Sequence, residues 1–291
     1  MTSEPLSNDA SYGLLAFDHF IAQNFDLTQP QASDPHQYRE LALRYLRLTP
    51  LERFPYHSRT FEESAEPPLP SDIVDRALRP FQKPRERNAS VRRGTTGGTE
   101  HPLWLRTCYA PDLAPRYAEL RSQCEVGGVY AVDAADCFDD AALYDAEKDE
   151  EVGAGDRDGV VEGNAGLRAL LLRAPMLADV VQYNCPEDEE FWGEQEGEPL
   201  EVPPEQEALE KASTEAKWLL YLVDEEVLRD EDGLVKMLWM DVHGHCVWRT
   251  RTHPGRMAGF RGALADGRSL SMMVEDETGG DEEGWQMDLV F

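Results

Sequence analysis

The segment Trp218-Leu-Leu-Tyr-Leu-Val223 is the longest uninterrupted apolar run in the chain. A membrane-spanning helix needs roughly 20 apolar residues, so this run is far too short to cross a bilayer and no membrane association is expected. Alternate side chains of a strand point to opposite faces, so a strand that is apolar throughout must be covered on both sides. The run therefore predicts a central strand between two packed layers. Around it, Leu103 to Thr107, Val129 to Val132 and Val180 to Tyr183 carry short strand signals, while Pro111 to Cys124 and Leu167 to Leu172 read as helices. Asp224 to Asp230 reads as one helical turn. Leu234 to Val242 and Cys246 to Thr252 flank His243-Gly244-His245, the pattern of a hairpin with glycine in its turn. Leu270 to Val274 and Met287 to Phe291 complete an acidic α/β domain with a mixed sheet, placed at 103–291.

The first 65 residues read differently. Leu14, Leu15, Phe17, Phe20, Ile21 and Phe25 recur at three- and four-residue steps, and a second stripe follows at Tyr38, Leu41, Tyr45 and Leu48. Thr49-Pro50-Leu51-Glu52 sets a capping hydroxyl, a proline at the first helical position and a glutamate three residues after the cap, so a third helix starts at Pro50. Pro55 should loosen its first turns. Residues 66–102, with six prolines and the run Gly94-Thr-Thr-Gly-Gly, read as a basic Pro/Gly-rich linker with one short helix. The overall expectation is an α+β or α/β protein: a three-helix module, a linker and the α/β domain.

Charge divides the chain along the same lines. Residues 1–93 hold 12 Lys/Arg against 13 Asp/Glu, whereas 94–291 hold 16 against 44. Asp139 to Glu162 carries ten acids and two bases, and Pro186 to Glu210 eleven acids and no base. Both read as loop insertions, solvated or facing a basic protein partner. An acidic body repels nucleic acid, so any polyanion would have to engage residues 35–93. Candidate contacts there are Arg39, Arg44, Arg47 and Arg53, with the linker residues Arg85, Arg87, Arg92 and Arg93. Ser90 and Thr95, which follow arginines, are candidate phosphorylation positions.

The segment Tyr45-Leu-Arg-Leu-Thr-Pro-Leu-Glu-Arg-Phe-Pro-Tyr56 resembles the junction of the second and third helices of HMG boxes. The resemblance covers about residues 10–65. It implies an L-shaped three-helix module that binds and bends DNA at the minor groove, though no Lys or Arg precedes Arg39 to form the family's basic arm. A plain three-helix packing unit accounts for the same apolar residues. Leu105-Arg-Thr107, Leu222-Val-Asp224 and Trp248-Arg249 are loosely similar to an α/β family of unknown function, which implies a fold and no activity.

No nucleophile elbow, phosphate loop or His-Glu-x-x-His motif is present in the sequence, and no cofactor is predicted. Five cysteines without a Cys-x-x-Cys pair read as reduced thiols. Met1-Thr-Ser-Glu-Pro5 has no basic and apolar leader pattern, which leads to the expectation of an intracellular protein, nuclear or cytoplasmic. One constellation could hold a metal: Asp241, His243, His245 and Cys246, with His253 nearby. On a straight strand the first three share a face; a hairpin at Gly244 destroys that alignment and is the favoured reading. The sequence thus points to a non-enzymatic binding or regulatory protein, with a small enzyme or metal-binding protein using Asp241 to His253 as the alternative.

Overall fold

A computed structural model describes residues 12–61, 69–96, 102–125, 132–147, 164–179, 211–265 and 270. Its centre is a five-stranded sheet in the order β2-β1-β3-β4-β5, formed by β1 (Leu103–Arg106), β2 (Cys137–Phe138), β3 (Trp218–Val223), β4 (Val235–Met240) and β5 (Cys246–Thr252). β1 runs parallel to both β2 and β3, whereas β4 and β5 are antiparallel additions. The apolar run is the middle strand, buried at all six positions.

Alternation along the strands sorts the core into two faces. Leu103, Leu105, Trp218, Leu220, Leu222, Leu238 and Met240 join one cluster, and Trp104, Leu219, Tyr221, Val223, Met237 and Trp239 the other. The first face carries the N-terminal helices α1 (Ala16–Asn24) and α2 (Asp34–Arg47), together with α7 (Ala141–Tyr144) and α8 (Ala165–Arg173). The second carries α6 (Ala114–Gln123), α9 (Glu225–Arg229) and α10 (Met257–Ala265). The arrangement is three layers, helix on sheet on helix.

The N-terminal helices begin and end close to the positions the sequence predicts. α3 (Pro50–Phe61) starts with a complete capping box: the Thr49 N–H donates to Glu52 Oε2 at 2.8 Å and the Glu52 N–H to Thr49 Oγ1 at 3.3 Å. Pro55 lies inside this helix without ending it. These helices share one core with the sheet, since Phe17, Phe20 and Tyr45 cluster with Leu103, Leu105 and Trp218. The Tyr38 hydroxyl donates to the Arg173 carbonyl at 2.5 Å, and that of Tyr45 to the Asp179 carboxylate.

The linker expectation is corrected. Within residues 66–102, α4 (Ser71–Ile73) runs into a wide π turn at Val74–Leu78, and α5 (Pro84–Thr96) follows. Pro84 begins α5, where its missing N–H leaves no helical bond unmade, and Glu86 Oε2 accepts from the Lys83 N–H at 2.9 Å. Ile73, Ala77, Leu78 and Ala89 are core residues. Ser90 is buried and donates to the Glu86 carbonyl, so a kinase cannot reach it in the folded chain. Elsewhere, β4 and β5 form the predicted hairpin, while β2 carried no sequence expectation. The strand expected at 180–183 and the acidic stretch 186–210 lie outside the described residues, as do most of 139–162 and of the 129–132 strand.

Candidate ligand crevice

The candidate polyanion-binding arginines do not form one basic face. Arg53, Arg87 and Arg93 are buried, each with at most 2 % of its surface exposed. Arg87 grips Asp18 through two bonds of 2.8 Å. Arg53 donates to the carbonyls of Leu46 (3.1 Å) and Val242 (2.8 Å) and stacks over the Tyr45 ring. Arg93 lies over Trp218, and burial depresses its guanidinium pKa to about 10. Arg85 donates to the Cys137 carbonyl, Arg92 is bound to Asp136, and Arg44 lies against Phe20. Of the eight, Arg44, Arg47 and Arg85 are exposed, with Arg39 and Arg92 half-buried. Sequence reads a basic residue as solvated by default; here carboxylates and carbonyls brought in from distant segments replace the water.

The metal candidates are likewise placed for another purpose. Asp241 organises the β4–β5 turn, its Oδ1 accepting from the N–H groups of His243 and His245 at 2.8 Å each, while Oδ2 meets His245 Nδ1 at 3.1 Å. Burial works to raise the Asp241 pKa, but these bonds hold it below the usual carboxylate value. His243 Nδ1 donates to the Leu46 carbonyl at 2.7 Å, pinning the turn to α2. Gly244 adopts φ +82°, a region that only glycine enters readily. The Cys246 thiol points to the Trp248 carbonyl, and His253 caps the turn before α10. Among the described residues no group of three or more His, Cys, Asp and Glu side chains converges as a metal site would require.

What the fold does build is a crevice of about 480 Å³ at the carboxyl ends of β1 and β3. From β1 the chain passes through α6, on one face of the sheet, to β2; it then returns through α7 and α8, on the other face, to reach β3 on the opposite side of β1. The strand order reverses between β1 and β3. At their carboxyl ends β1 leads away toward β2 and β3 toward β4, in opposite directions along the sheet, and it is at such reversals that open α/β sheets bind ligands.

Each wall of the crevice follows from a short local device. Thr107 and Cys108 extend β1; the Thr107 N–H donates to the Val223 carbonyl at 3.0 Å, and both side chains are buried. Asn164 caps α8, accepting from the N–H groups of Gly166 (3.0 Å) and Leu167 (3.2 Å), and donates its amide to Thr107 Oγ1 at 3.1 Å. Asp224 caps α9 through the Val227 N–H at 3.1 Å and meets Lys236 Nζ at 2.6 Å. Ala146 and Glu147 close the third side, held by the Ala146 N–H on the Thr107 carbonyl at 2.9 Å. Gly166 is required where α8 crosses β1, because a Cβ there would lie 2.5 Å from both Thr107 Cγ2 and the Tyr144 carbonyl. Burial raises the Cys108 thiol pKa, so it stays protonated at neutral pH.

Sequence reasoning did not single out this site. Its signal was nevertheless present: Arg106-Thr107 and Val223-Asp224 close two of the most apolar strand segments, and ligand-facing residues of a parallel sheet sit one or two positions past such ends. No family model, no curated protein and no solved structure matches the chain.

Proposed function

We propose that the protein is a non-enzymatic, small-molecule-binding regulatory protein whose ligand occupies the crevice at the ends of β1 and β3. The observation carrying this reading is the coincidence of an open, partly apolar cavity with the reversal of strand order. Its volume falls within the range typical of small-molecule sites. A binding role fits the lining better than catalysis does: Cys108 is held protonated, and among the described lining residues there is no histidine to act as its base. The three-helix layer then serves as the second cover of the sheet, and the HMG-like segment is read as a packing unit.

Amide chemical-shift mapping during a screen of several hundred fragments tests the reading. Hits should perturb Thr107, Cys108, Asn164 and Asp224 to Glu226 together. A screen in which no fragment perturbs that set, or in which all hits map elsewhere, would overturn it.

A further inference from the structure

We infer that the crevice accepts a ligand bearing a protonated amine and rejects phosphorylated ones, an inference that rests on the crevice being the binding site. Phosphate sites at strand ends depend on open backbone N–H groups, supplied by a glycine-rich turn or an uncapped helix N-terminus. Neither is offered here. The turn after β1, Thr107 to Ala114, contains no glycine. The N-terminal N–H groups of Gly166 and Leu167 are taken by Asn164 and that of Val227 by Asp224, so at both helix ends a side-chain oxygen, a carboxylate in the case of Asp224, stands where an anion would have to bind.

The charges on the walls point the same way. Glu147, Asp224, Glu225 and Glu226 line the crevice, against one lining cation, Arg229. Arg229 is turned onto Glu225 at 2.7 Å and lies 3.8 Å from Asp112. Lys236 and Arg251 neutralise Asp224 and Glu226. Glu147 has no ion-pair partner among the described residues and stands at the mouth beside Ala146. The walls therefore keep an excess of negative charge within a molecule of net charge −29, whose field concentrates cations and repels anions. Ala146, only partly buried, provides an apolar surface for the ligand's carbon skeleton.

A matched set of probes separates charge from shape: 4-phenylbutylamine, 4-phenylbutanol and 4-phenylbutyrate, each titrated into the full chain with amide shifts followed. The amine should perturb the crevice amides with at least tenfold higher affinity than the alcohol, and the butyrate should not bind. Exposed Glu147 permits a conservative variant: Glu147→Gln should weaken the amine several-fold and leave the alcohol unchanged, and added salt should weaken only the amine. If the alcohol or the butyrate binds at the crevice as well as the amine, the charge class is wrong while the crevice stands as a site. If none of the three perturbs the crevice, the amine inference falls, while the fragment screen separately decides whether the crevice is a site.

Discussion

Arg87 and Asp18, 69 positions apart in the chain, meet through two parallel hydrogen bonds of 2.8 Å with almost no exposure to solvent. The pair is further supported: Asp18 Oδ2 accepts from the Gly13 N–H at 2.8 Å, Arg87 donates to Gln82 at 2.5 Å, and Tyr12 stacks on the guanidinium. It locks α5 to α1 and so joins the stretch predicted as a linker to the first helix.

Removing one partner leaves the other charge buried and unpaired. Asp18→Leu and Arg87→Met should each cost roughly 3–5 kcal/mol, and the double variant Asp18→Leu/Arg87→Met should be less destabilised than the two single changes summed. Urea unfolding of the four chains measures this. Single-variant losses below about 1 kcal/mol would show that water reaches the pair.

A second buried carboxylate gives a pH signature. Asp136 is 1 % exposed, and burial raises its pKa from 3.8 to about 6 even though Arg92 and Arg93 oppose the shift. Its folded pKa exceeds its unfolded one, so the folded state holds the proton more tightly. Stability from this group is present below about pH 4 and is lost as pH rises through 6, by on the order of 3 kcal/mol. Relative to Asp136→Asn, the wild-type chain should therefore lose stability between pH 4 and pH 6.5 and change little above it. A flat difference across that range in denaturant titrations would contradict the assignment.

The hairpin turn makes a steric prediction. At Gly244, φ is +82° and an added Cβ would lie 2.8 Å from Leu171 Cδ1 on α8. Gly244→Ala meets backbone strain and overpacking at once and should cost about 2–4 kcal/mol. Gly259→Ala, on a helix with no atom within 4 Å of the new carbon, serves as the control and should be neutral or slightly stabilising. Thermal unfolding of the two variants should separate clearly; equal midpoints would mean that the turn relaxes freely.

The elements that the sequence determined by itself are those whose signal is local. The capping box at Thr49 and Glu52 works within one turn, Gly244 marks a turn by its own backbone freedom, and the apolar run 218–223 demands cover on both faces wherever it goes. The mixed α and β class followed from those alone. Tertiary structure decided the rest, because it depended on pairs far apart in the chain. The same arginines read as a solvated basic patch or as interior ion-pair partners according to whether Asp18 and Asp136 are brought to them, and composition holds no record of that distance. Asp241 and His245 carry the chemistry of metal ligands, but the turn directs the carboxylate onto backbone N–H groups instead. The crevice has no motif because it is made by an order of strands: Thr107 and Asp224 are 117 positions apart in sequence and become neighbours only when β1 and β3 pair in parallel, aligning Arg106 with Val223.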